Sequence, residues 1–165
     1  MLDIRNATPG DLDTITELET ACFPPEEAAD RETFEERLKV YPNHFWLLWR
    51  DGKLVSMVNG MVSNEEELLD EFYSDPSLHA EDGKWQMLFG VETDPEYRKR
   101  GYASILMKEV IKDCINDSRK GIILNCKDKY VPFYESLGFT KMGEAKSTHG
   151  GHRWNKMVMN LEEQL

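Results

Sequence analysis

The densest chemical signal in the chain is the segment Val91-Glu-Thr-Asp-Pro95-Glu-Tyr-Arg98-Lys-Arg-Gly101-Tyr-Ala103-Ser104. An apolar run ends in it and an amphipathic run begins from it, so it reads as a strand–turn–helix junction. Successive backbone N–H groups at such a turn, with the positive end of the helix behind them, form a seat for phosphate. Gly101 permits close backbone approach, Ala103 keeps the first helical turn uncrowded, and Arg98, Lys99 and Arg100 supply positive charge. The same residues also suit a plain junction whose basic side chains are solvated. Neither a GxGxxG fingerprint nor a GxxxxGK[ST] loop is present.

The charge distribution agrees with an anion seat. The 165-residue chain carries a net charge of −11, yet residues 98–129 hold nine Lys/Arg against four Asp/Glu. A locally basic segment in an acidic protein is where a phosphorylated cofactor would sit. The overall acidity argues against a nucleic-acid partner, whose binding rests on neutralising phosphates. Cys22, Cys114 and Cys126 form no CxxC pair and stand near no histidine at zinc spacing. They read as small buried residues in a reducing compartment, with no metal. No apolar run reaches the ~20 residues of a membrane span, and the first residues do not resemble a secretory leader. The expectation is a cytoplasmic protein with no membrane partner.

The elements that must position the junction follow from patterning. Leu2–Asn6 alternates as a strand, and Thr8-Pro9 opens a helix with Leu12, Ile15, Leu18 and Ala21 on its inner face. Asp30 opens a second helix with Phe34 and Leu38 inward, ending near Pro42. Residues 44–50 and 53–62 form a hairpin around Asp51-Gly52. Residues 65–83 hold eight acids and no Lys or Arg. In that stretch Leu68, Leu69, Phe72 and Tyr73 suggest a short helix over a pocket. Residues 85–93 read as one buried central strand. A helix follows from Gly101 to about Asp117, and 121–126 is a further buried strand. A short helix over 131–139 closes at Gly138. Strands near 139–146 and 153–161 flank a turn at His149-Gly150-Gly151. The order is that of a single α/β domain with a mixed sheet.

Two signals together carry a family resemblance. The R-x-x-G-x-A pattern at Arg98, Gly101 and Ala103, after a strand ending in V-x-x-x-P, resembles the acetyl-CoA pyrophosphate loop of the GNAT acetyltransferases. Farther on, Asn125-Cys-Lys-Asp-Lys-Tyr-Val-Pro-Phe133-Tyr134-Glu-Ser-Leu-Gly138-Phe139 resembles the strand and helix in which a family tyrosine faces the thioester sulfur. Glu17-Leu-Glu-Thr-Ala-Cys-Phe23, Asp51-Gly-Lys-Leu-Val, Glu65-Glu66, Leu78-His79 and the closing Met157 are similar to the arylalkylamine (serotonin) N-acetyltransferase branch.

The resemblance implies an α/β GNAT fold over residues 1–165, one domain whose central mixed, mostly antiparallel sheet splays beyond Val91 and is flanked by helices. It implies acetyl-CoA as co-substrate and direct transfer to a primary amine in a ternary complex. The backbone of Val91, Glu92 and Thr93 would pair with the pantetheine arm, with a Val91 N–H polarising the thioester carbonyl. Arg98, Lys99, Arg100, Gly101, Tyr102, Ala103 and Ser104 would hold the pyrophosphate. Asn125 would border the acyl and amine site, and Tyr134 would contact the sulfur and protonate the leaving thiolate. Tyr134 also fits a plain core aromatic. Phe23 and Pro24 stand at the branch's amine-binding loop.

One departure concerns the base. Vertebrate members of the branch carry two histidines on the central strand, where this chain has Met87 and Phe89. Glu92, His149 and His152 are the remaining candidates, with Glu92 equally readable as facing solvent and His149 as a turn residue. Tyr73, Trp85, Phe89 and Trp154 offer an aromatic lining, and the acidic stretch offers attraction for a cation. Cys126, with no histidine near it in sequence, reads as structural. A small arylalkylamine-like acceptor and a monomer or homodimer are expected. The alternatives are a polyamine or other amine acetyltransferase, or a CoA-binding regulatory module without turnover.

Overall fold

A computed structural model describes residues 1–162. The chain divides into two compact units, Met1–Gly60 with Gly90–Val110, and Met61–Phe89 with Ile111–Leu165.

The first unit carries β1 (Leu2–Asn6), α1 (Leu12–Cys22), α2 (Arg31–Val40), β2 (Phe45–Arg50) and β3 (Lys53–Asn59). Its fully antiparallel sheet has the order β1-β2-β3 and then the strand Gly90–Thr93. Asp51 and Gly52 connect β2 to β3 with φ of 48° and 83°. Positive φ at both central residues is what a tight Asp-Gly hairpin turn demands. The core is built on rings: Phe45 sits edge-on to Phe34 at 6.0 Å and stacks on Tyr41 at 6.2 Å. All three rings are fully buried, and each such side chain contributes about 1.5–3 kcal/mol of apolar burial.

On α1 the inner face differs from the expected one. Leu12, Ile15 and Leu18 are buried, but Ala21 is exposed and Glu19 is buried instead. The inward stripe runs Ile15, Leu18, Glu19, Cys22 at i, i+3, i+4, i+7, one step round the helix from Ala21.

The helix start is fastened by Asp11. Its carboxylate accepts from the Thr8 N–H (2.8 Å), the Thr8 hydroxyl (3.2 Å) and two Arg5 guanidinium nitrogens (2.8 and 2.9 Å). These bonds, led by that from Arg5, hold its pKa below the usual carboxylate range. Asp11→Ala is expected to lower stability by about 2 kcal/mol at pH 7, chiefly through the lost helix-start bonds, because the Arg5 pair is partly screened. A depressed carboxyl pKa stabilises above its unfolded value and loses that contribution as pH falls through the folded value. The gap between the two proteins in urea unfolding therefore closes below about pH 4.

The second unit carries β4 (Val62–Ser63), β5 (Trp85–Leu88), β7 (Gly121–Cys126), α4 (Val131–Ser136), β8 (Thr140–Glu144) and β9 (Asn155–Asn160). Its sheet order is β4-β5-β7-β9-β8, antiparallel except for the parallel pair β5–β7. Mixed and mostly antiparallel pairing is thus observed, over two sheets. The run 85–93 is not one strand: it breaks at Phe89 into β5 and β6 (Gly90–Thr93), which belong to different sheets. Likewise 53–62 breaks at Gly60-Met61 into β3 and β4. The helix α3 (Tyr102–Asn116) follows β6 and buries Leu106, Met107, Val110 and Cys114. Within residues 65–83 the expected short helix is the 3-10 helix Asp70–Tyr73, followed by a second at Pro76–Leu78, with Leu68 and Phe72 buried. No helix among the described residues is long and apolar enough to cross a membrane.

Candidate active site

The strand that ends at the phosphate-type turn is β6, the terminal strand of its sheet. Asp94 N–H donates to the Val55 carbonyl at 2.8 Å. Alternation in an antiparallel pair then points the polar backbone of Glu92 and Gly90 toward β3 and that of Val91 and Thr93 away from it. The Thr93 carbonyl accepts from Arg98 Nε (3.0 Å) and Cys22 Sγ (3.3 Å). The outer edge of β6 therefore offers the Val91 N–H and C=O and the Thr93 N–H, the groups an extended ligand arm needs for strand-like pairing.

Beyond β6 the backbone turns through Lys99 (φ 64°) and Gly101 (φ 83°) into the first turn of α3. Left-handed residues at such a turn aim successive N–H groups at a common point. No described atom lies within 4 Å of where a Gly101 Cβ would stand. Arg98, Lys99, Arg100 and Gly101 are exposed, and Tyr102, Ala103 and Ser104 half-buried. The Tyr97 ring carries Arg100 at 5.2 Å, Lys53 at 4.9 Å and Arg50 at 5.8 Å, concentrating positive charge beside the turn. These residues fit a diphosphate: an open turn, a helix N-terminus and surrounding cations.

Phe23 and Pro24 follow α1 directly. Phe23 N–H donates to the Glu19 carbonyl, and Pro24 accepts from Glu27 and Ala28, so the chain reverses here before Asp30 caps α2 through Thr33 N–H. Glu92 does not face solvent. It is 4% exposed, because strand alternation turns it onto α1, where it meets Glu19 and Cys22. Burial, then the Glu19 carboxylate beside it, push its pKa well above the carboxylate range, opposed by Arg37. Sequence patterning missed Glu19 as a site residue, although its helical spacing from Ile15 and Cys22 was the signal available.

In the second unit, Asn125 is half-buried on β7, opposite Lys156 of β9. Tyr134 on α4 is buried, its ring edge-on to Phe133 at 5.1 Å and Phe139 at 5.7 Å. Burial, with Cys126 and Tyr130 adding, raises its phenol well above the ordinary value, so the hydroxyl keeps its proton. Cys126 is buried and its thiol is pushed up to about 12, which removes it as a nucleophile at neutral pH. His149 opens a 3-10 turn and stacks on Tyr73 at 4.2 Å, and Tyr73 lies 4.9 Å from Phe89. A cleft of about 490 Å³ is lined by Glu65, Glu71 and Asp75 with Leu69, Phe72 and Leu78.

The family described as "Acetyltransferase (GNAT) family" matches residues 12–139. The chain belongs to the GNAT acetyltransferase family. It is 26% identical over 114 residues to the serotonin N-acetyltransferase of Mesocricetus auratus, covering 68% of this chain and 54% of that enzyme. The Macaca mulatta serotonin N-acetyltransferase is 26% identical over 171 residues, covering 90% of this chain and 81% of its own length. Among solved structures, the loading GNATL domain of CurA from Lyngbya majuscula superposes with a TM-score of 0.86 at 17% identity, covering 99% of both chains. The GphF GNAT-like decarboxylase in complex with isobutyryl-CoA superposes with a TM-score of 0.81 at 19% identity, covering 96% of this chain and 99% of that one. These structures establish the GNAT fold.

Gly101→Ala is expected to cost about 1–2 kcal/mol of stability through its left-handed backbone alone. It also weakens acetyl-CoA binding, because the added methyl group projects into the open side of the turn. Thermal unfolding and titration with acetyl-CoA read the two effects separately.

Proposed function

We propose that this GNAT chain transfers the acetyl group of acetyl-CoA to the primary amine of a small molecule, arylalkylamine-like, by direct attack in a ternary complex. The observation that carries this reading is the turn through Lys99 and Gly101, opening onto the N-terminus of α3 beside the free edge of β6. In this reading, Val91 and Thr93 align the pantetheine arm through the backbone, while Glu92 between them, expected to share in this, turns its backbone to β3; the Val91 N–H polarises the thioester carbonyl. Arg98 to Ser104 hold the pyrophosphate. Asn125, Phe23 and Pro24 border the acceptor, and Tyr134 gives its proton to the departing thiolate. Residues 1–165 then act as one GNAT domain, monomeric or homodimeric, in the cytoplasm, where three free cysteines are at home.

A second reading of the acceptor is favoured by the cleft lined by Glu65, Glu71 and Asp75, which suits a polyamine. Initial rates with tryptamine, phenethylamine, spermidine, lysine and an N-terminal peptide separate the two. Arylalkylamine turnover supports the first, and turnover with spermidine alone moves the substrate to the second. Acetyl-CoA binding without turnover in any tube would make the chain a regulatory module.

A further inference from the structure

We propose that Glu92, paired with Glu19, takes the proton that the acceptor amine must lose before it can attack; this rests on the acetyl-transfer reading above. The positions expected to carry histidines hold Met87, fully buried, and Phe89, neither able to accept a proton. Glu92 is on the next strand, 4% exposed, and no N–H or hydroxyl among the described residues donates to either of its carboxylate oxygens. A buried carboxyl whose only side-chain hydrogen-bond partner is a second carboxyl, Glu19, is unfavourable for the fold, which points to a function for it. Glu19 is held in place through Oε2, which accepts from the Ala29 N–H at 2.9 Å, while its Oε1 has no donor.

The pair lies at the start of the acceptor loop. A methyl group on Gly90 would stand 3.1 Å from Glu92 Oε1, 3.7 Å from Asn59 Nδ2 and 3.9 Å from the Phe23 ring. The bare Gly90 thus leaves the Glu92 carboxyl beside Phe23, the residue placed at the amine loop. The titratable and charged groups facing Glu92 are Glu19 and Cys22 of α1 and Arg37 of α2. Arg37 is turned to Asn59, donating to its Oδ1 at 2.9 Å. Burial and the neighbouring Glu19 carboxylate raise the Glu92 carboxyl above the ordinary carboxylate range, so its ionised form is a stronger proton acceptor than a solvated carboxylate.

The bound ammonium gives one proton to Glu92 and becomes a neutral amine. Its nitrogen forms the C–N bond as the C–S bond breaks. Tyr134 supplies the thiolate's proton and is restored by the second proton leaving the nitrogen. Glu92 returns its proton to water, so each turnover yields amide, CoA thiol and one free proton.

The test is Glu92→Gln. With an ordinary alkylamine at pH 7, kcat is expected to fall about a hundredfold or more, with acetyl-CoA binding unchanged. The deficit shrinks at alkaline pH and with a weakly basic amine such as trifluoroethylamine, which arrives neutral. A purely structural Glu92 predicts only higher thermal stability of the variant. A raised folded-state pKa means that wild type loses stability as pH rises from the ordinary carboxylate value toward the folded one. Glu19→Gln keeps the Ala29 bond, removes the like charge and shifts the acidic limb of the kcat profile to lower pH. An unchanged rate and profile in Glu92→Gln overturns the proposal. If that variant does not fold, an unmoved limb in Glu19→Gln does so. A wild-type chain with no amine turnover overturns the acetyl-transfer reading and this proposal with it; unaffected variants beside an active wild type overturn this proposal alone.

Discussion

Replacing Gly121 with alanine is expected to destabilise the protein by about 3 kcal/mol. Gly121 opens β7 and is paired on both sides, with Trp85 of β5 and Asn160 of β9. A Cβ there would overlap the backbone carbonyl oxygen of Met159 and the ring of Trp85. A carbonyl inside a ladder cannot rotate away as a flexible side chain can, so a strand must move and its hydrogen bonds with it. Gly143 provides the contrast within the same sheet: its φ is 95°, but nothing lies within 4 Å of its Cβ position. Its substitution is expected to cost only the backbone strain of about 1–2 kcal/mol. Urea unfolding of the two variants checks the order, and equal losses would contradict the packing argument.

Tyr134→Phe is expected to lower kcat about a hundredfold while leaving acetyl-CoA binding and thermal stability near wild type. The ring, buried against Phe133 and Phe139, keeps its packing when the hydroxyl is removed. What disappears is a phenol whose proton is retained by burial. A thiolate leaving without an acid must depart as an anion, which slows that step. Stopped assays of CoA thiol with wild type and variant give the ratio. Equal turnover would return Tyr134 to the role of a core aromatic.

Much of this organisation is legible in the sequence where local chemistry decides the backbone. Asp51-Gly52 specifies its turn because only such residues accept two positive φ values in a row, and both are found. Asp30 ahead of an amphipathic run and Gly138 after one mark helix ends for equally local reasons, with Gly138 at φ 107°. The left-handed turn ahead of α3 is readable for the same reason, down to Gly101. What local chemistry does not state is which strand a strand joins. The apolar run 85–93 announces burial, but its division at Phe89 between two sheets depends on partners far along the chain. The inner face of α1 is misread because a glutamate counts as polar in any pattern. Glu19 is buried there only because Glu92, from a strand 73 positions later, comes to lie against it. Two buried carboxyls in contact violate the local rule, and such violations collect where function is carried.

The central claim is that the chain moves an acetyl group from acetyl-CoA to an amine nitrogen. The most direct measurement is to incubate the protein with acetyl-CoA and tryptamine, and to count CoA thiol and N-acetylated product in the same tube by thiol titration and mass spectrometry. The account predicts that both accumulate in equal amounts, faster as pH rises from 6 toward 8, and that neither forms without the amine. Acetyl-CoA bound to the protein with neither product appearing, for tryptamine or for any other amine of the panel, would contradict it.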